Sequence, residues 1–453
     1  MAVGIFVSTP VLLAQDQPVE LKAPQTVEVD ASLTDTPESN SDVTVAPSEL
    51  STKKEGATKA ERTTVEEVPT EQSASEETTV KVEKVPVKPE SPVEMDEENS
   101  EPALDPVQET KEPKKIVHDD PLLNKVEQAI DLSRRRYLTA TIHTPWQIMH
   151  GILSYREEFE LNRDGNSDEK INGIKFISND PVYQGEHWFQ KTPHGGKAHP
   201  FTVPYAFEGH PNQFPAIMTM TDLPITHEFK TADGSITMQD IVRNAQMEVN
   251  NHEGQTWTLW FLTHYLPSDT EWKNARGENW SIERLVQMQN QVVVERAACG
   301  GCHNLLALSI ARNNHLQEGG QLRGVWLEAN QKILRYTEIA RRTQNRDGSF
   351  SSEYFRSPQF SNEFKRRIAT SGHILEFLMV ALPQSRLKEQ WVRNAVNNVS
   401  NDLIRFGSQP ADVGALYHAV DSLVIYRDRV VPREVASSTS DENITVSGTK
   451  ESE

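Results

Sequence analysis

The sequence predicts an all-α fold, an (α/α)6 toroid of six helical hairpins preceded by a long disordered acidic segment. Three observations carry this. From Leu122 on, apolar residues recur at helical spacing. The helical stretches come in pairs, a longer charged one followed by a shorter one that is apolar over most of its surface. Strand signals are scarce.

The elements follow in chain order. Residues 1–19 begin with MAVGIFVSTPVLLAQDQ, a short apolar run ending in Leu-Leu-Ala-Gln. It reads as the remnant of a signal peptide without its positive n-region, and predicts export to the periplasm or cell surface. Residues 20–120 read as an acidic spacer rich in Pro, Glu and Thr. The first 120 residues hold twelve prolines, one aromatic residue (Phe6) and 27 acidic against 11 basic residues. Such a chain cannot bury enough apolar surface to offset its ordering entropy, so disorder is expected. The whole chain carries a net charge of −20, most of it here. Residues 431–453 read as a second disordered tail.

Residues 121–430 read as the toroid domain. With 34 acidic and 33 basic residues it is close to neutral, and no Lys/Arg cluster with interleaved aromatics points to nucleic acid. No stretch is long and apolar enough for a transmembrane span. Two cysteines exclude a disulfide-dense scaffold. The first hairpin pairs LLNKVEQAIDLSRRRYL with TPWQIMHGILSYREEF. The second pairs two weaker stretches, DEKINGIKFISN and PNQFPAIMTMTDL, around a Gly/Pro/His-rich loop at 179–209. SITMQDIVRNAQMEVN, with Ser235 as N-cap, precedes TWTLWFLTHYL. SIERLVQMQNQVVVERAA, with Ser281 as N-cap, precedes CHNLLALSIARN. The last two hairpins pair LRGVWLEANQKILRYTEIARRTQ with TSGHILEFLMVAL and RLKEQWVRNAVNNVSNDLIRF with DVGALYHAVDSLVIY. An open α-solenoid has the same sequence signature.

Most second helices carry a histidine in or near the first turn: His150, His210, His303, His373 and His418, with His264 later in its helix. In a closed toroid these helix starts converge on one end of the cavity. Their free N–H groups and partial positive charge favour an anion and depress a nearby cysteine pKa. A ring of histidines there suits metal binding, proton transfer or substrate contact. The plain alternative is that each histidine bonds within its own hairpin.

TQNRDGSFSSEYF, residues 343–355, resembles the Q-x-x-D-G-S-F/W turn that recurs in terpenoid cyclases and protein prenyltransferases. In that superfamily the turn ends outer helices of an α/α toroid, so the resemblance implies this fold for residues 121–430. The activities are not implied with it. The D-x-D-D acid motif of the cyclases is missing, and the prenyltransferase zinc ligands match no more than Cys302 and His303. Lanthionine cyclases need a second cysteine from another helix. The complement-like thioester motif C-G-E-Q stands here as C-G-G-C. The chain also looks similar to exported bacterial proteins, some named GTPase-activating proteins. The four-cysteine zinc finger that name implies needs more than two cysteines.

Both cysteines lie in AACGGCHNLL, residues 297–306. Read as C-x-x-C-H, it anchors a c-type haem through Cys299 and Cys302 with His303 as axial ligand. A local Cys299–Cys302 disulfide, a zinc-type site built from Cys302, His303 and a rim histidine such as His150, and inert thiols at a helix start remain open. Glu208 and His210 form a candidate acid/base pair, with Asn212 beside them to orient a substrate. His373 and Glu376, three apart, share a helix face. Asp347 reads as a turn former. Trp257, Trp260 and Tyr265 read as core or an aromatic wall. The enzymatic expectation is acid/base chemistry on a glycan, peptide or isoprenoid-like substrate in the central cavity by Glu208, His210, His303, His373 and Glu376. The rival is a non-catalytic scaffold that docks a cell-envelope partner.

Overall fold

A computed structural model of the chain describes residues 117–166, 169–200, 206–221 and 223–431. The expected leader at 1–19, the spacer up to 116 and the tail from 432 lie outside them. Among the described residues are twelve α-helices, and the order alternates as the sequence predicts. α1 (Pro121–Arg134) and α2 (Pro145–Tyr155) form the first pair, α3 (Gly173–Ile177) and α4 (Gln213–Met218) the second, α5 (Met238–Glu248) and α6 (Thr256–Tyr265) the third. α7 (Ile282–Gln291) and α8 (Cys302–Gln317), α9 (Gly324–Thr343) and α10 (Phe364–Ala381), and α11 (Gln390–Arg405) and α12 (Val413–Val430) complete the series.

Burial separates the two kinds of helix. In α7 the buried residues are Ile282, Leu285, Val286 and Gln289, a single stripe. In α8 every residue from Cys302 to Arg312 is buried, and in α12 every residue from Gly414 to Tyr426. A helix buried all round sits inside; a striped one faces water. α2 packs on α4, α4 on α6, α6 on α8, α8 on α10, α10 on α12, and α12 back on α2. The striped helices pack outside this series: α1 on α11 and α12, α7 and α9 on α8, α11 on α10.

Local chemistry sets the helix starts. Thr144 and Gln147 form a capping box on α2, with Pro145 at its first position. Ser281 caps α7 as predicted. Ser235 does not cap α5: it lies in a strand, and Thr237 makes the capping box with Asp240.

The sequence reading underestimates strands. Among the described residues, ten short ones form five antiparallel hairpins: β1 (Glu160–Asn162) with β2 (Lys170–Asn172), β3 (Val182–Tyr183) with β4 (Glu186–His187), β5 (Phe189–Thr192) with β6 (Gly195–Ala198), β7 (Glu228–Thr231) with β8 (Gly234–Thr237), and β9 (Glu271–Lys273) with β10 (Asn279–Ser281). The 179–209 segment, expected as loop, holds two of them. Each strand spans two to four residues, too few for alternation to register as a pattern. Phe189 and Phe229 stack at 4.3 Å and join the β5–β6 and β7–β8 hairpins over α5.

Two glycines set close approaches. A Cβ on Gly372 of α10 would lie 2.7 Å from the Cβ of Ala419 on α12, so only glycine lets the two backbones touch there. Gly301, at φ 79°, turns the chain into α8 with Val294 packed on it.

Candidate functional site

Four buried histidines from four of the inner helices meet in one place. The rings of His373 (α10) and His418 (α12) are 4.2 Å apart. His303 (α8) lies 5.1 Å from His373 and 4.9 Å from His418, and His150 (α2) lies 5.3 Å from His418. Gly372 precedes His373 and Ala419 follows His418, so the close contact between these helices sets the spacing of the two rings. The expected first-turn placement holds only for His303, second in its helix. His150 and His418 are sixth and His373 tenth, because α10 starts upstream at Phe364, before the apolar run.

All four rings line a cavity of about 500 Å³ together with Trp146, His210, Cys299, Tyr354, Lys365, Arg366 and Asp412. Hydrogen bonds assign the tautomers. His150 Nδ1 lies 2.6 Å from the carbonyl of Trp146, and His373 Nδ1 lies 2.6 Å from that of Ala369. A carbonyl only accepts, so Nδ1 carries the proton in both and Nε2 keeps a bare lone pair. His418 Nδ1 lies 2.8 and 2.9 Å from the two oxygens of Glu376. His303 Nε2 is buried without a hydrogen-bond partner.

Burial keeps the rings neutral. It lowers His150 and His373 to about 4, and His303 and His418 well below the usual imidazole range, with the neighbouring rings adding to it for His303 and His418. Behind His418 stands a chain of three more groups. Arg156 donates to Asp421 at 2.5 Å, and Asp421 faces Glu376. Burial, then Asp421, raises Glu376 well above the carboxylate range, so Glu376 holds a proton against Asp421, which Arg156 keeps paired.

The two cysteines go to different places. Cys299, Gly300 and Gly301 have φ values of 50, 61 and 79°. This left-handed run places Cys299 on the cavity wall. Cys302 packs in the core at 1 % exposure and is not part of that wall. Both are free, so the local disulfide, one of the open readings, is not formed. The expected lowering of a thiol by helix N-termini is reversed: burial pushes Cys299 up to about 12 and Cys302 well above its ordinary value. Desolvation outweighs the helix dipole. A haem held by both thiols needs both on one cavity, and here one is.

Of the pair Glu208 and His210, only His210 lines the cavity. The Glu208 carboxylate accepts the N–H of Phe214 at 2.7 Å, caps α4, and is absent from the cavity wall. Burial pushes it to about 8. His210 lines the cavity, its ring 6.2 Å from Trp257. Asn212 is taken up by a bond to Thr258. Trp260 and Tyr265 are bound within the core, to Thr219 and to the Leu223 carbonyl. Trp257 packs against His303 at 4.8 Å. Asp347 forms its turn by accepting from Ser349, and also pairs with Arg367 at 2.9 Å.

Sequence reading missed Asp421 and Arg156. Asp421 stands three residues after His418 on the face that Glu376 meets. That spacing was visible; the partner on another helix was not.

Among the described residues, two groups of side chains bring ligand atoms within 4.8 Å of one another: Cys299, His303 and His373, and His303, Glu376 and His418. The predicted metal set of Cys302, His303 and His150 shares only His303 with them.

Compared with known families, with curated proteins and with solved structures, the chain finds no match.

Proposed function

We propose that this chain is an exported enzyme with an (α/α)6 toroid, similar in fold to the terpenoid cyclases and protein prenyltransferases but without their acid motif. The circuit of inner-helix contacts that returns from α12 to α2 supports the fold. The signal-peptide-like run at the start of the sequence supports export. The enzyme does general acid–base chemistry on a small molecule in the central cavity, and His418 is the base.

One observation carries this reading: His418 Nδ1 bonded to both oxygens of Glu376, with Asp421 and Arg156 behind. With Nδ1 as donor, Nε2 is a bare base in a ring that lines the cavity. When Nε2 takes a proton, the proton shared by Glu376 and Asp421 shifts toward Asp421. Negative charge then sits on Glu376 against the new imidazolium. An oriented base of this kind contributes about 10²–10⁴-fold to rate. Glu376 acts through His418 and is a positioning residue. His150, His373 and His303 supply further neutral imidazoles to the same space.

Ring ¹⁵N NMR at neutral pH tests the assignment. The Nδ1–H form for His418, with turnover on small ester, amide and glycoside probes lost in His418→Gln at unchanged Tm, is the expected result. An Nε2–H form, or turnover that survives the substitution, overturns it.

A further inference from the structure

We infer that Cys299, His303 and His373 form a mononuclear site for a divalent transition metal of the zinc class, open to the cavity at its fourth position. The three ligand atoms already lie within 4.8 Å of one another. Two further observations point to a ligand there. His303 Nε2 is a buried nitrogen without a partner. The bond from His373 Nδ1 to the Ala369 carbonyl leaves the other nitrogen of that ring as a lone-pair donor. Metal-bound histidines are held in this way, with the distal N–H on a carbonyl or carboxylate.

The backbone is built for this set. The left-handed run through Cys299, Gly300 and Gly301 folds Cys299 back toward His303, four residues on. Gly300 is packed against the Tyr354 ring, where a Cβ has no room. The Gly372–Ala419 contact brings in α10 with His373.

The second group, His303, Glu376 and His418, is the weaker candidate. Glu376 is taken up by His418 and Asp421, and it does not line the cavity. It serves better as the carboxylate that orients His418 beside the metal.

One thiolate and two imidazoles suit zinc and its borderline neighbours rather than calcium or magnesium. Three protein ligands and an open position are the pattern of catalytic rather than structural zinc. All three ligand residues line the cavity, so a fourth ligand would come from the cavity side, where the His418 ring lies 4.2 Å from that of His373. Binding converts the Cys299 thiol to a thiolate and releases its proton to solvent, so one M²⁺ enters and one H⁺ leaves at this residue. The site stands whether or not His418 is a base, because none of its three ligands is His418.

The test is titration of the full chain, stripped with chelator, with Co²⁺ and Zn²⁺. The expected result is one Co²⁺ per chain with a sulfur-to-cobalt charge-transfer band in the near ultraviolet, and a Tm raised by Zn²⁺. Cys299→Ser removes the band, and His373→Gln weakens Co²⁺ binding by at least roughly 100-fold. Cys302→Ser, altered in the core beside the site, keeps the band. Circular dichroism of each variant shows that it is folded. No band from folded wild type, a band that survives Cys299→Ser, or its loss in folded Cys302→Ser overturns the inference. Metal binding with an Nε2–H tautomer at His418 supports the site and overturns the acid–base role alone.

Discussion

Both oxygens of Glu376 on α10 lie within hydrogen-bond distance of Nδ1 of His418 on α12, at 2.8 and 2.9 Å. The pair crosses the contact between α10 and α12 beside Gly372 and fixes which nitrogen of His418 faces the cavity. Glu376→Gln keeps an oxygen to accept from Nδ1 and an NH₂ toward Asp421, as the protonated acid does, but it has no proton to pass on. The imidazolium loses the negative charge that Glu376 would place against it. The expected outcome is a roughly 10–100-fold loss of cavity function with a small change in Tm, the usual effect of removing an orienting carboxylate. Glu376→Ala also opens a cavity and costs about 2–4 kcal/mol. Urea unfolding beside a turnover or ligand-binding assay separates the two. Equal losses of function with equal losses of stability refute the positioning role.

Arg156 holds Asp421 at 2.5 Å, with Asp421 fully buried. Arg156→Met leaves two buried carboxyl groups facing each other without their cation. Breaking a buried pair from one side costs about 3–5 kcal/mol. Arg156→Met combined with Asp421→Asn removes the charge from both ends and is expected to recover at least about half of that. Chemical denaturation of the two singles and the double forms a mutant cycle. Additive losses would show that the pair is not coupled.

The pairing of helices was legible in the sequence because burial on all sides and burial on one stripe leave different apolar patterns, as α8 and α7 show. The strands were not, since Phe189–Thr192 and its neighbours run for four residues or fewer. Of the site, His150, His303, His373 and His418 were legible as a recurring feature of the second helices; Glu376 was read as the partner of His373, three residues before it, whereas its oxygens meet His418 on another helix. The roles of Cys299 and Cys302 were not, because three consecutive left-handed residues decide which thiol meets the cavity. Glu208 misled for a similar reason. A carboxylate two residues from a histidine looks like a catalytic pair, and here it is spent on the N–H of Phe214.

Gly372 is the point where α10 and α12 touch. In Gly372→Ala the new Cβ meets the Cβ, Cα and N of Ala419 at 2.7–2.9 Å, mostly backbone that cannot swing away. The helices must separate, at a cost of about 1–3 kcal/mol. His373 and His418 are the adjoining residues, so their rings separate as well. Co²⁺ affinity and Tm are expected to fall together in this variant. Gly254, where an added Cβ meets nothing within 4 Å, is the control, and Gly254→Ala should leave Co²⁺ affinity unchanged. Unaltered Co²⁺ binding in Gly372→Ala would mean that this contact does not set the ring spacing.

Glu208 gives the fold a pH dependence of definite sign. Burial outweighs the N–H of Phe214 and the more distant Lys197, and raises its pKa from 4.5 to about 8. The folded state keeps this proton up to about pH 8, while the unfolded chain releases it near 4.5. The stabilisation is therefore fully present below pH 4.5 and is lost as pH rises through 8. At about 1.4 kcal/mol per pH unit the shift corresponds to a loss on the order of 5 kcal/mol. Glu208→Gln keeps an oxygen for Phe214 and has no proton to lose. The wild type is expected to lose several kcal/mol relative to this variant between pH 5 and pH 9, read from urea unfolding at each pH. Parallel curves for the two proteins would show that Glu208 is ionised in the folded state at neutral pH, and that its cap on α4 is that of an ordinary carboxylate.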